Sequence, residues 1–256
     1  TLVWFSGQMI IKVNLQKCDF VATRLTDAYV FGEAHPYGKY TNPEDLDALN
    51  SGLLKDFFTQ YYLNGQCVMF VSGKLPADIE QQLNKAFGDL SIKPFNNQLT
   101  TIIQSPAAEK KYRIENDVNG VQGAIRIARP FPNRHHPDFM KVMVLNTVFG
   151  GFFGSRLMSN IREDKGYTYG IHSYVQNHIH ESELLLVRNY LIGTILGDLD
   201  GPFQIMGRWK NLVLNNLDGD YFYRSIETIK NISAEELREL SKKYLNPADF
   251  YEIVVI

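Results

Sequence analysis

Apolar residues recur at helical spacing through the first ninety residues of the chain. Positions three and four apart lie on one face of a helix, so such a stripe predicts a helix that packs by that face. Asn42 followed by Pro43 is a typical helix start. One or two helices are predicted over residues 8–31, ending near Gly32. A further helix is predicted after Asn42, followed by the apolar stripe Leu53, Leu54, Phe57, Phe58 and Tyr61. The spacing of Ile79, Leu83 and Phe87 predicts another helix, which stops at Gly88.

Two further segments divide this first part of the chain from the rest. The apolar run QCVMFVSG, residues 66–73, predicts a buried strand. Residues 91–108 are interrupted by prolines and polar residues, which is typical of a linker between domains. The sequence therefore predicts a first α+β portion over 1–90, a linker over 91–108 and a second α+β domain over 109–256.

The second part of the chain alternates between short strands and helices. Strands are predicted at 110–116 and 121–129, and the alternation in YTYGIHSYVQ predicts another. Ser155 is a candidate helix cap, and Ser233 with Glu236 forms a capping-box pattern. The predicted helices cover 138–149, 155–165, the run ESELLLVRNYLIGTIL and two or three segments within 202–245, and FYEIVVI closes the chain as a strand.

One pattern occurs twice. LLKDFFTQYYLNGQCVMFVSG and ELSKKYLNPADFYEIVVI both run from an amphipathic helix through Tyr-Leu-Asn and a short loop into an apolar strand. The shared change from helix to strand carries more weight than the tripeptide alone. We interpret the pattern as two copies of one α+β unit, the first of which lacks its beginning.

Composition narrows the classes of function. The chain has 256 residues, 45% of them hydrophobic and 21% charged, and a net charge of -2, which argues against a nucleic-acid surface. No apolar run reaches the roughly 18–20 residues of a membrane span. Cys18 and Cys67 are too few for a disulfide scaffold, and both are predicted to lie in the core. A soluble protein of the cytoplasm or periplasm is expected, and a segment preceding Thr1 stays open.

The stretch VFGGFFGSRLMSNIREDKGYTYG, residues 148–170, carries the candidate chemistry. Gly150 and Gly151 allow a close backbone approach, and the helix after them places Arg162 near its end. A guanidinium there can hydrogen-bond a peptide carbonyl or carboxylate, Tyr169 can donate to the same backbone, and its strand can pair with an extended peptide. In the alternative, the glycines form a tight turn, Arg162 pairs with Glu163 or Asp164, and Tyr169 is core.

The stretch NTVFGGFFGSRLMSNIREDKGYTYGIHSY closely resembles the C-terminal-domain signature of the insulinase or pitrilysin-like zinc metallopeptidases, peptidase family M16. The signature is a Gly-Gly turn, Ser-Arg-Leu, Leu/Ile-Arg-Glu, Gly and Tyr. FGEAHPYGKY, LLKDFFTQYY, NYLIGTILGDLDGPF and YLNPADFYEIVVI are similar to other parts of the family, so the resemblance covers nearly the whole chain.

The resemblance implies two such α+β domains, each a mostly antiparallel sheet packed with helices, with the first truncated at its N-terminus. Two domains of this kind form one half of a clamshell. Arg162 and Tyr169 match the family's arginine and tyrosine, which help to anchor substrate peptide opposite the zinc site. The substrate-binding residues implied for this chain are Arg162, Tyr169, Gly150, Gly151, Phe152 and Ser155.

The resemblance also implies an inverted zinc motif, His-x-x-Glu-His, with a second Glu as third ligand. None of the six histidines has that pattern. His135 and His136 are adjacent and cannot share a helical face. His178 and His180 would share a face in a strand, but HIHESE stands where a loop enters a helix, which disfavours zinc binding there.

The chain departs from the family pattern in two places, at the expected third zinc ligand and in the segment near 177–181. The zinc motif would precede Thr1, and the third ligand should lie in residues 5–18, which contain no Asp or Glu. Family members also place a strand and a long helix where this chain has only QNHIH, so residues are expected to be missing near 177–181.

Three interpretations of function follow. The favoured one is a peptide-binding, non-catalytic half or subunit of a zinc peptidase, with no metal or catalytic residue in this chain and zinc in the catalytic half or partner. Its partners would be a polypeptide substrate and that catalytic half, or a second copy of the chain. The alternatives are a fragment of a catalytically complete peptidase and a structural assembly subunit. The pairing of Arg162 with Tyr169 argues against the last.

Overall fold

The computed structural model of the chain describes residues 2–65, 67–93, 105–116, 120, 122–174, 184–197 and 199–256. Most of the predicted linker and the segment 177–181 lie outside these ranges. The contacts divide the chain into two compact units, one formed by 1–68, 78–130 and 248–256 and the other by 69–77 and 131–247. The units therefore combine segments from both sides of the predicted linker, and the division into 1–90 and 109–256 stays a prediction.

The first unit contains a three-stranded sheet in the order β1-β3-β2. The strands are β1 (Lys111–Ile114), β2 (Ala124–Ala128) and β3 (Tyr251–Val255). Strand β3 lies in the centre, parallel to β1 and antiparallel to β2. The described sheet is thus mixed, whereas a mostly antiparallel sheet was expected. The cause is that β1 and β2 run in opposite directions, so the C-terminal strand between them can be antiparallel to only one.

The core of this unit lies between the sheet and the second helix. Alternate residues of β3, namely Tyr251, Ile253 and Val255, are buried on one face, as period-two alternation requires. Ala22 of the helix is fully buried in the same cluster, and its small side chain permits close packing. Cys18 belongs to this core as predicted, but Cys67 is exposed.

The helices of the first unit lie where the periodic pattern predicts them. They are α1 (Leu2–Asn14), α2 (Cys18–Phe31), α3 (Pro43–Asp47), α4 (Ser51–Phe57) with a π-helical continuation over Phe58–Tyr62, and α5 (Ile79–Phe87). The apolar faces predicted to pack on α4, its π-helical continuation and α5 are not buried, however. Helix α2 ends at Gly32, whose φ of 91° favours glycine. Asn42 and Asp45 form a reciprocal capping box at α3, and Gly88 follows α5, both as predicted.

The strand predicted at 66–73 is wrong in the part the structure describes, 67–73. That segment forms no strand, and Val68, Met69 and Val71 are exposed. A buried strand needs neighbouring strands to take up its backbone hydrogen bonds, and the described residues provide none here. Residue 67 is exposed for the same reason.

The second unit is helical. Its α-helices are α6 (Phe139–Asn146), α7 (Leu184–Gly197), α8 (Pro202–Leu214), α9 (Asp220–Asn231) and α10 (Ala234–Tyr244), and π-helical segments cover Thr147–Gly151 and Met158–Asp164. Val142, Leu145 and Val148 on one side meet Ile229 and Leu237 on the other in a single buried cluster. The capping box of Ser233 and Glu236 opens α10 as predicted. Among the described residues, no helix is both long and apolar enough to cross a membrane.

The repeated Tyr-Leu-Asn pattern behaves differently in its two copies. Tyr244 is buried at the end of α10, and the chain then turns over Pro247–Asp249 into β3. Tyr62 ends the π-helical segment but is exposed, and no strand follows it in the described residues up to position 73. The change from helix to strand is therefore present in the second copy alone.

Candidate functional site

The glycine pair ends the π-helical segment Thr147–Gly151 and leads into a turn over 152–155, which together are called the glycine turn below. Gly150 is buried there. The Gly150 carbonyl accepts a hydrogen bond of 3.0 Å from the Ser173 backbone N–H. A Cβ on Gly150 would lie 2.3 Å from the Cβ of Ser173 and 2.8 Å from Cδ1 of Leu157, distances that no side chain tolerates. Gly151 is exposed, and a Cβ there would meet Nδ2 of Asn146 at 3.2 Å. The close approach predicted for the pair therefore occurs at Gly150, and what approaches is residue 173.

A buried polar pair holds this approach in place. The Ser173 hydroxyl donates to Oδ1 of Asn146 at 2.7 Å, and Nδ2 of Asn146 donates to the Ser173 carbonyl at 3.1 Å. Both residues are buried, so each bond also satisfies a group that would otherwise be left without a partner. This pair was not predicted from the sequence. The available signal was Asn146, which with Thr147 interrupts the otherwise apolar run VMVLNTVF.

The helical segment after the turn presents Leu157, Met158 and Ile161 inward, as predicted, and it is mostly a π-helix. Ser155 precedes it and is fully buried. Its hydroxyl makes no hydrogen bond within the described residues, so its predicted role as a side-chain cap is wrong. Ser155 joins this segment through its backbone instead, because its carbonyl accepts a hydrogen bond of 2.9 Å from the Ser159 N–H. The zero exposure shows that packing confines the side chain.

The two phenylalanines after the glycines face different surroundings. Phe152 packs against the helical core of the second unit, and its ring stacks on Tyr190 with centroids 5.7 Å apart. Phe153 is 65% exposed. The guanidinium carbon of Arg162 lies 5.0 Å from the centre of the Phe153 ring, which is the geometry of a cation–π contact. Phe153 was not among the predicted site residues.

Arg162 and Tyr169 remain accessible. Arg162 is half-buried, and within the described residues it forms no ion pair with Glu163 or Asp164. Tyr169 is 99% exposed, which excludes the alternative that it belongs to the core. Its side chain contacts no other described residue through a hydrogen bond or ring contact. The alternative in which Arg162 pairs with Glu163 or Asp164 and Tyr169 lies in the core therefore disagrees with the structure.

The strand predicted at 167–176 is wrong over 167–174, the part that the structure describes. Thr168 forms a local turn instead, because its hydroxyl donates to the Gly170 carbonyl at 3.0 Å. The Ser173 N–H bonds to Gly150, and this is one of few backbone bonds of the segment. The N–H groups of Tyr169, Ile171 and His172 have no partner among the described residues. The segment thus offers open backbone donors beside the turn.

Two of the described histidines use a ring nitrogen in a local hydrogen bond. His35 is buried, stacks on Phe31 and accepts a hydrogen bond from the Tyr37 N–H at Nδ1, so it fixes its own loop. Nδ1 of His136 accepts from the Asp138 N–H in the same way. His178 and His180 lie outside the described residues. Across the described part of the chain, no three His, Cys, Asp or Glu side chains are grouped as metal ligands would be.

Comparison with known proteins gives the family context. A family described as the peptidase M16 inactive domain matches residues 48–188. The chain is 25% identical over 156 residues to the uncharacterized zinc protease YmxG of Bacillus subtilis (strain 168), a match that covers 61% of this chain and 37% of that protein. The chain thus spans less than two thirds of the length of this relative.

Solved structures share the fold. The peptidase M16 inactive domain from Pseudomonas fluorescens superimposes with a TM-score of 0.78 at 19% identity, covering 99% of this chain and 69% of that one. A protease from Helicobacter pylori gives 0.76 at 13% identity, covering 98% and 71%. A conserved protein from Enterococcus faecalis V583 gives 0.71 at 13% identity, covering 98% and 67%.

Proposed function

Because the chain belongs to the peptidase M16 inactive domain family, we propose that it is the peptide-binding, non-catalytic half or subunit of a zinc peptidase. The observation that carries the proposal is that the side chains of Arg162 and Tyr169, which follow the glycine turn in the sequence, are both accessible. Arg162 is held by an aromatic ring and keeps its charge unpaired by its acidic neighbours, and Tyr169 is wholly exposed.

The physical role proposed for Arg162 is to donate to a substrate carbonyl or carboxylate. A guanidinium has five N–H donors, and a cation–π contact with Phe153 uses none of them as a conventional hydrogen bond. The Tyr169 hydroxyl is a second donor for the same peptide main chain. Together the two groups would bind the backbone of a polypeptide with little specificity for its side chains.

The open N–H groups of Tyr169, Ile171 and His172 support an extended bound peptide. A peptide running alongside this segment would accept their hydrogen bonds as an added strand does. The Asn146–Ser173 pair and the tight contact at Gly150 would hold the segment in register for that pairing. Gly150 is therefore proposed to act through position, and Gly151, Phe152 and Ser155 to line or support the same surface.

Zinc belongs to the family context, since the B. subtilis relative is named a zinc protease. The described residues of this chain do not fit a zinc site, because none of them forms a suitable ligand group. No step of hydrolysis is therefore assigned to them. In the proposed complex the catalytic half or partner supplies zinc, which polarises the scissile carbonyl and activates water.

Two alternatives rest on specific observations. A fragment of a catalytically complete peptidase agrees with the match to only 37% of a longer zinc protease. A structural assembly subunit agrees with the match to an inactive domain. The exposure of Tyr169, and an Arg162 that forms no ion pair with its acidic neighbours, favour peptide binding over a purely structural role.

A reconstitution experiment separates the three. The full-length protein would be purified, assayed for zinc content, and tested for peptidase activity alone and mixed with a partner that carries the His-x-x-Glu-His motif. The proposal expects no stoichiometric zinc in the isolated protein and activity on mixing. Stoichiometric zinc with activity in the protein alone would indicate a complete peptidase. No activity and no peptide binding in the mixture would indicate a structural subunit.

A further inference from the structure

The second unit contains a cavity of about 430 Å³ away from the 150–170 stretch. Its walls are the segment that precedes α6, the turn between α8 and α9, and one face of α9. Its volume falls within the range of small-ligand sites, roughly 300–1,000 Å³. The side chains used below are Arg134, His136, Met140, Leu217, Asp218, Tyr221 and Arg224, all of which line it.

One ion pair in this cavity is already complete. Nη2 of Arg224 lies 2.9 Å and 3.1 Å from the two carboxylate oxygens of Asp218. The same carboxylate accepts from the Tyr221 N–H at 2.7 Å. The hydrogen bond from Arg224, followed by that from Tyr221, lowers the pKa of Asp218, so the carboxylate stays charged and keeps Arg224 neutralised.

Three other donors in the cavity have no strong acceptor. The guanidinium of Arg134 is exposed and contacts the ring of Phe139, 5.8 Å from its centre, with no carboxylate partner in the described residues. The Tyr221 hydroxyl faces Sδ of Met140 at 3.5 Å, and a thioether is a weak acceptor. Nδ1 of His136 accepts from the Asp138 N–H, so the neutral ring carries its proton on Nε2 and can donate.

The charges select the kind of ligand. Arg134 contributes one positive charge, and the Arg224–Asp218 pair contributes none, so the two arginines and one aspartate of the lining sum to +1. A dianion would place its second negative charge near Asp218 without a cation to balance it. A monoanion with two oxygens matches one guanidinium and a neighbouring hydroxyl. Met140 and Leu217 offer apolar surface to the rest of such a ligand.

We propose that this cavity binds a monocarboxylate, with Arg134 and the Tyr221 hydroxyl donating to its oxygens and His136 donating beside them. The source of the carboxylate is either the C-terminal end of a peptide or a small free acid, which share this chemistry. The proposal does not depend on the role of Arg162, because the cavity is lined by other residues.

The test is calorimetric titration of the full-length protein. The probes are N-acetyl-Ala-Ala-Leu with a free C-terminus, its C-terminal amide, N-acetyl-leucine and inorganic phosphate. We expect the free acid to bind at least about tenfold more tightly than the amide, since the amide lacks the charge that Arg134 recognises. Equal affinity of the two acids would identify the small acid as sufficient, and tighter binding of the tripeptide would identify a peptide end.

Variants locate the binding. Arg134→Gln should weaken it at least about tenfold, and Tyr221→Phe a few-fold while preserving the ring. Arg113→Gln, which removes an exposed arginine outside the cavity, is the matched control and should change nothing. The preference for acid over amide should depend on Arg134, a residue on which the peptide-binding proposal makes no demand, so the two proposals can fail separately. Equal binding of acid and amide, no binding of either acid, tighter binding of phosphate, or an unaffected Arg134→Gln would each overturn the assignment.

Discussion

The guanidinium carbon of Arg162 lies 5.0 Å from the centre of the exposed Phe153 ring. An ion pair with Glu163 or Asp164 would neutralise the arginine, whereas the ring orients it and leaves its hydrogen-bond donors available. The charge is thus held in place beside the glycine turn without being satisfied by the protein itself. That combination is what a binding group needs before its ligand arrives.

Arg162→Ala should weaken peptide binding by about 1.5–3 kcal/mol, which corresponds to roughly 10- to 150-fold, because a charged hydrogen bond is lost. Fluorescence anisotropy with a labelled unstructured peptide measures the affinity. Lys165→Ala removes an exposed cation from the same turn and serves as the control. If Lys165→Ala loses as much affinity as Arg162→Ala, the loss reflects general charge. In that case, or if Arg162→Ala loses no affinity, the assigned role of Arg162 is wrong.

Gly150→Ala should destabilise the fold by about 1–3 kcal/mol, because the added Cβ would lie 2.3 Å from the Cβ of Ser173. Gly207 offers a matched control within α8, where a Cβ meets nothing within 4 Å. Gly207→Ala should stabilise by up to about 1 kcal/mol through helix propensity. Urea unfolding followed by circular dichroism measures both, and equal effects would contradict the tight approach at Gly150.

Ser173→Ala should cost about 1–3 kcal/mol of stability, since it leaves Oδ1 of the buried Asn146 without its donor. Ser51→Ala, at the exposed first position of α4, should remain within about 0.5 kcal/mol of the parent. Peptide binding by Ser173→Ala should also weaken if this pair positions the segment before it. Unchanged unfolding in Ser173→Ala would show that the pair contributes nothing to the turn.

Stability should fall with acid through Asp138. Its carboxylate accepts hydrogen bonds from Lys243 at 2.7 Å and from the Tyr244 hydroxyl at 2.6 Å, which lower its pKa in the folded protein. The unfolded state, with an ordinary pKa of about 3.9, therefore binds the proton first as the pH falls. The stability from this carboxylate is complete above the unfolded pKa and is lost as the pH drops through the folded one.

Asp138→Asn isolates this contribution from that of other carboxylates. The difference in unfolding free energy between parent and variant should be largest near about pH 6 and should shrink toward about pH 3. Urea titrations across that range measure it. A difference that stays constant with pH would show that the hydrogen bonds to Asp138 do not depend on its charge.

Elements with local signals were predictable from the sequence. The capping box and the amphipathic face of helix α10 both follow from residues that are close together in the sequence. Helix α2 ends at a glycine that takes a positive φ. Strand β3 was predicted from the apolar run that closes the chain, but its central place between β1 and β2 was not. Strand order depends on contacts between residues more than 100 positions apart, which a local pattern does not encode.

The two wrong strand predictions share a cause. Residues 67–73 and 167–174 have apolar or alternating patterns, yet a strand forms only where a neighbour accepts its hydrogen bonds. Ser155 has the right residue type for a cap, but packing confines its side chain instead. The Asn146–Ser173 pair joins residues 27 positions apart, and Phe153 acts through its ring on Arg162, so both needed the folded geometry.

The central claim is that Arg162 and Tyr169 hold one peptide main chain together. A double-mutant cycle of Arg162→Ala and Tyr169→Phe, read out as peptide affinity by anisotropy, tests it most directly. We predict that each single change weakens binding and that the two are coupled by about 0.5–3 kcal/mol, with the melting temperature unchanged for the exposed Tyr169. Additive effects within about 0.3 kcal/mol, or full affinity in the double variant, would contradict the account.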